Sequence, residues 1–224
     1  MSCMKKKSTG QSGSALIIIL VAVALFGALS YTVANMLRGG DSPNAIAEQP
    51  ASILTDEILG YARTVKQAVQ DLKISNGCED EQISFENDIG SEYVNTAAPN
   101  DCRVYGSEGA NLSRQNMFED VSSSPWLFTG ENRIANVGSN TTDGDLLIVL
   151  PDINLTVCLA INDKLNVPNA SQDTPVSNVY DPTKFTGTYA STQIIGDGLE
   201  IAGFQAGCAE SSGEYYFYST LIAR

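Results

Sequence analysis

The stretch ALIIILVAVALFGAL, Ala15 to Leu29, contains only small and apolar residues, and the wider run from Ser8 to Leu37 carries no charge. A helix from Ser14 to Leu37 would be about 36 Å long, enough to cross a hydrocarbon layer of about 30 Å. Lys5, Lys6 and Lys7 stand directly before it. Basic residues flanking a span stay on the cytoplasmic side, so the residues after Arg38 are expected to be exported. The sequence therefore divides into a cytoplasmic leader over 1–13, a transmembrane helix over 14–38, a linker over 39–51 and an exported domain over 52–224. The competing reading is a cleaved secretory signal, with Ala22 and Ala24, or Ala28 and Ser30, as the small residues before the cut. Apolar character continuing through Tyr31, Val33, Met36 and Leu37 suits a span better.

Charge follows the same division. Residues 1–40 hold four basic and no acidic side chains. The remaining 184 hold 9 basic and 26 acidic ones, a formal charge of −17. Such a surface repels phosphate backbones, so nucleic acid is not expected as a partner. Cys3 lies in the leader, which leaves Cys78, Cys102, Cys158 and Cys208, an even number suited to an oxidising compartment. Of the three connectivities, Cys78 with Cys102 and Cys158 with Cys208 closes the shorter loops and is the pairing expected.

From Ser52 the pattern turns helical. Leu54, Ile58, Tyr61, Ala62, Val65, Ala68, Val69 and Leu72 recur at spacings of three and four. Asp56 and Glu57 lie in the first turn, Lys73 in the last, and Gly77 is placed to end it. Its apolar stripe calls for a sheet of its own domain or another subunit's helix. Cys78 to Pro125 reads as a long loop, with apolar islands at Ile83 to Phe85, Tyr93-Val94 and Arg103 to Tyr105, made tolerable by a disulfide. Strands are expected at Trp126 to Thr129 and Asp145 to Leu150, the run DLLIVL being apolar enough for a central position. A short helix over Asn154 to Leu165 has Asp152 or Asn154 as cap. Further strands are expected at Phe185 to Tyr189, Leu199 to Ala206 and Glu214 to Ala223, the last preceded by a turn at Ser211 to Gly213. The fold class is α+β: a transmembrane helix, then a second helix packed on a mostly antiparallel sheet with long disulfide-pinned loops.

The chain has no histidine, which removes Ser-His-Asp and Cys-His nucleophile pairs and the commonest metal ligand. No phosphate-binding glycine motif is present. The one Ser-x-x-Lys, Ser2 to Lys5, lies in the leader. Glu79-Asp80-Glu81 and Asp143-Gly144-Asp145 offer oxygen ligands for calcium but lack the twelve-residue loop ending in Glu. Two of the many carboxylates would suffice for a glycosidase pair; a solvated acidic surface is the plainer reading. Asn111, Asn140, Asn154 and Asn169 lie in N-x-[ST] sequons. No catalytic residue, cofactor or metal is expected.

The stretch KKKSTGQSGSALIIILVAVALFGALSY, Lys5 to Tyr31, resembles the leader and membrane helix of type IV pilin-like proteins. The resemblance covers residues 5 to about 37. It implies an inner-membrane, single-pass subunit whose C-terminal head is periplasmic, α+β and stapled by disulfides. It also implies a structural role in a type IV pilus or type II secretion assembly, beside other pilin-like subunits, and cutting by a prepilin peptidase after Gly10 or Gly13. Major pilins carry Glu at the fifth mature position. Here that position is Ala15 or Ile18, which resembles minor pilins and pseudopilins. Gly39-Gly40 and Pro43 interrupt a helix that is usually continuous in the family. A membrane-tethered periplasmic binding or scaffolding module is the alternative, and an anchored hydrolase using carboxylates comes last.

Overall fold

The computed structural model describes residues 17–27, 43–86, 91–116, 121–139, 142–170 and 175–224. The chain falls into two compact units, Met1–Gln49 and Pro50–Arg224. In the first, residues 17–27 form helix α1, and its large side chains are solvent-exposed, from Val21 at 51% to Phe26 at 74%. Positions 14–16 and 28–38 of the expected span lie outside the described residues. No helix among the described residues is long and apolar enough to cross a membrane.

Helix α2 runs over Pro43–Ser75, so the part of the expected linker from Pro43 to Ala51 is helical. Proline suits the first helical position, where its missing N–H would have no partner. Pro50 likewise cannot donate to the carbonyl four residues earlier, and the boundary between the two units falls immediately before it. From Ala51 onward the stripe read in the sequence is buried: Ile58, Ala62, Val65, Val69 and Leu72 are at most 2% exposed. Its partner is the chain's own sheet, because these residues share one core with Trp126, Phe128, Leu146, Ile148 and Phe217. The helix ends as expected. The Asn76 and Cys78 N–H groups donate to Leu72 O at 3.1 and 3.3 Å, while Gly77 sits at φ +70°, the left-handed conformation that helix C-termini favour.

The sheet has five strands: β1 (Leu127–Ile134), β2 (Asp145–Ile153), β3 (Gln193–Ile195), β4 (Ala206–Ser211) and β5 (Glu214–Ile222). Their order is β3-β1-β2-β5-β4. All neighbours are antiparallel except β1 and β3. β2 is central, and Leu146, Ile148 and Leu150 pack toward α2. Leu147 and Val149 pack on the other face against Ile195, Ile201, Tyr216 and Tyr218. Burial on both faces explains why DLLIVL is continuously apolar and does not alternate. β4 and β5 meet in a two-residue turn, Ser212 (φ +58°) and Gly213 (φ +92°), between the paired residues Ser211 and Glu214. Two positive φ values match the twist of a hairpin.

Helix α3 (Leu155–Leu165) is capped by Asn154, whose side chain accepts from the Val157 N–H at 2.9 Å. Two expected strands are absent. Phe185 to Tyr189 and Leu199 to Gln205 are turns and irregular chain, anchored by apolar burial of Phe185 on the α2 side and Ile201 on the opposite side. Conversely β3 and most of β4 were not expected, and β1 continues five residues past Thr129 to Ile134. The apolar islands of the long loop enter the core: Ile83, Phe85 and Val104 are fully buried and Tyr93 is 3% exposed. Ser84 and Arg103 form a parallel bridge between them.

Candidate functional site

Cys78, Cys102, Cys158 and Cys208 form two bonds, Cys78–Cys102 and Cys158–Cys208, the sequential pairing. The first ties the end of α2 to a 3-10 turn over Asn100–Cys102; the second ties α3 to β4. Each has a polar companion. Asn76 Nδ2 donates to Asp101 O at 2.6 Å, beside the first disulfide. Asn162, fully buried, faces the backbone of Cys208 as a strand would: its Nδ2 donates to Cys208 O at 2.9 Å and its Oδ1 accepts the Cys208 N–H at 2.7 Å. Farther along β4, Glu210 exchanges backbone bonds with Val176 and Asn178. The outer edge of β4 is thus occupied from within the chain, the usual protection against edge-to-edge association. Gly10 and Gly13, the expected processing positions, lie outside the described residues.

The two acidic clusters meet at one cation. Arg224 Nη1 lies 3.0 Å from Glu81 Oε1 and Nη2 lies 3.8 Å from Asp143 Oδ2, while the guanidinium lies over the Tyr189 ring. The Tyr189 hydroxyl donates to Asp80 O at 3.1 Å. Asp145 is fully buried; it accepts the Arg224 N–H at 2.9 Å and the Ile134 N–H at 2.8 Å. Burial pushes the Asp145 carboxyl above its ordinary range, and those two donors and the Arg133 charge pull it back. The Ser139 N–H donates to Arg224 O at 2.7 Å. Gly138 permits that approach, since a Cβ there would lie 2.0 Å from Arg224 O. Among the described residues no group of three or more His, Cys, Asp or Glu is placed to hold a metal ion.

A second carboxyl pair lies across β2 and β5, where the register breaks between Leu150 and Ile153. Asp152, at φ +54°, accepts from the Ser124 hydroxyl and is hydrogen-bonded to Glu214. That bond and the Asp152 charge hold the Glu214 carboxyl above its ordinary range. Asp152 is held below its own, first by Glu214 and then by Ser124. Two small hollows flank the pair, about 160 Å³ toward Tyr180 and about 350 Å³ toward Asn154. A groove of about 380 Å³ runs beside the end of α2, lined by residues that include Thr64, Ala68, Asp71, Leu72, Ala110 and Leu112.

Arg224 and the Asp152–Glu214 pair carry no local sequence signal, because each depends on strand register. Asn162 had one: a buried amide on the apolar side of a short helix must find partners. Set against family models, curated proteins and solved structures, the chain matches none.

Proposed function

We propose that the chain is a non-catalytic pilin-like or pseudopilin-like structural subunit of a bacterial envelope secretion or pilus assembly. In this reading residues 14–38 anchor it in the inner membrane and the unit Pro50–Arg224 lies in the periplasm. The observation that carries the reading is an order of parts. A basic stretch precedes an apolar helix, and a second long helix then lies along one face of a mostly antiparallel sheet stapled by two disulfides. Disulfides persist in oxidising compartments, which supports export. The lysines before the apolar run support the orientation.

With Ala15 or Ile18 at the fifth mature position, the subunit has no carboxylate there to neutralise a neighbour's N-terminal amine, and an unpaired charge in an apolar bundle is costly. This supports a tip or low-copy position in place of the shaft. The groove beside α2 favours a second reading, a membrane-tethered binding or scaffolding module. N-terminal sequencing of the mature protein with membrane fractionation tests the proposal. The expected product begins at Gln11 or Ser14 and stays in the membrane. A soluble product beginning beyond Ala24 overturns it.

A further inference from the structure

Asn76 and Gly77 sit at the C-terminal end of α2, and both are solvent-exposed. The bonds that close the helix come from the N–H groups of Asn76 and Cys78, both to Leu72 O, so the Gly77 N–H between them is not tied into the cap. Gly77 is at φ +70°, with nothing within 4 Å of where a Cβ would stand. Only glycine takes that conformation without strain. The same missing Cβ leaves the Gly77 nitrogen unshielded beside the Asn76 carboxamide. The need for a helix cap has therefore placed an unhindered glycine nitrogen next to an exposed amide.

We propose that Asn76 is a covalent self-modification site, at which the side-chain amide is converted through a cyclic imide to isoaspartate and aspartate. The Gly77 nitrogen gives up its proton and attacks Asn76 Cγ. The new C–N bond closes a five-membered imide as the Cγ–Nδ2 bond breaks, and ammonia departs with the proton. Water then opens the imide at either carbonyl. Opening at the former backbone carbonyl gives isoaspartate and adds a methylene to the main chain. Water in and ammonia out balance the reaction, and no redox partner is needed.

The consequence falls on the loop that Cys78–Cys102 closes. Asn76 Nδ2 is the donor to Asp101 O; its replacement by a carboxylate oxygen sets two acceptors against each other. The polar tie beside the disulfide is lost, and Cys78 is displaced relative to the end of α2. The disulfide, the Lys73–Asp80 ion pair and the Ser84 backbone bonds to Cys102 and Val104 then hold that end of the loop without the amide.

The test incubates the full chain, in detergent micelles and with disulfides intact, at neutral and mildly alkaline pH. Proteolysis and mass spectrometry then locate the acid, and enzymatic isoaspartate methylation counts the isomer. Conversion is expected at Asn76 ahead of every other asparagine, faster at the higher pH, with isoaspartate as the larger product. Gly77→Ala is expected to slow it by about tenfold, since a Cβ hinders approach of the nitrogen. The unmutated chain supplies the decisive reading even if Gly77→Ala fails to fold. An intact Asn76 amide at a time when other asparagines have converted overturns the proposal, as does aspartate without isoaspartate.

Discussion

The guanidinium carbon of Arg224 lies 4.1 Å from the centre of the Tyr189 ring, and beside this stack the same guanidinium pairs with one carboxylate from each of two acidic clusters, Glu81 and Asp143. Glu81 and Asp143 are each about half exposed, so their ion pairs are screened and contribute little singly. The stack and the hydrophobic cover of the stem matter more. Arg224→Ala is expected to lower stability by about 1–2 kcal/mol, mostly retained in high salt. Arg224→Lys should recover less than half of that, because an ammonium cannot stack as a planar guanidinium does. Urea unfolding at low and high ionic strength measures both. A full recovery by lysine would mean that charge, and not stacking, is the operative contact.

Asn162 closes the edge of β4 from inside the core. Removing its amide leaves the N–H and C=O of Cys208 buried without partners, and each such group costs about 1–3 kcal/mol. Asn162→Ala is therefore expected to destabilise by at least about 2 kcal/mol, and Asn162→Leu to give no rescue although it restores volume. Loss of hydrogen-exchange protection at the Cys208 amide is the accompanying local signature. An unchanged amide would mean that water replaces the side chain there.

The parts of this fold legible in the sequence are those where a residue's role is local or where burial is two-sided. The stripe of α2 shows a 3.6 period, Asn154 precedes the helix it caps, Ser212-Gly213 has the composition of its turn, and DLLIVL is apolar because both faces are covered. The apolar islands Ile83 to Phe85 and Arg103 to Tyr105 likewise proved to be core contacts of an irregular segment. The misread segments share another feature: their apolar residues are buried by irregular chain. Phe185 and Tyr189 serve an aromatic cluster with Phe85 and Phe128, which composition does not separate from a strand. β3 is three residues long and parallel to β1, a pairing set by a long crossover and by nothing nearby. β1 extends through Asn132 because that buried amide grips the backbone of Asp181, its Nδ2 donating at 2.8 Å and its Oδ1 accepting at 2.6 Å. Read alone, Asn132 and its polar neighbours suggest a loop. The candidate site was legible only as cysteines, because the carboxyl pairings depend on register.

The disulfides close loops of different length, with sequence separations of 24 and 50. Restriction of the unfolded chain gives about 3–4 kcal/mol for each, with the longer loop ahead by roughly 0.6 kcal/mol for the doubling. All four half-cystines are buried, so either replacement also removes packed atoms and loop length is the main difference. The double variant Cys158→Ala with Cys208→Ala is thus expected to lose more stability than Cys78→Ala with Cys102→Ala. Thermal or urea unfolding of the two variants decides the order. The reverse order would show that the first disulfide supports contacts of the 79–101 segment beyond its loop entropy.

Asp145 sets a pH dependence whose sign is fixed by burial. Its carboxyl is raised in the folded state, first by desolvation, with the Ile134 and Arg224 N–H groups and the Arg133 charge acting the other way. A raised folded value means that the folded state binds the proton more tightly than the unfolded chain does. The associated stability is present below the ordinary Asp range and is lost as pH rises through the folded value. Asp145→Asn removes this titration and also one of the two acceptors, since an amide turns an NH₂ toward either Ile134 or Arg224. The variant should be less stable at every pH, by about 1–3 kcal/mol for the unmet buried N–H. Its deficit should be largest in acid and shrink as pH rises toward neutral, because only the wild type carries the Asp145 contribution that is lost over that interval. Denaturant unfolding of both proteins across the acidic range supplies the comparison. A deficit that instead grows toward neutral pH would mean that the two N–H donors outweigh burial, and that the ionised carboxylate is the form the fold prefers.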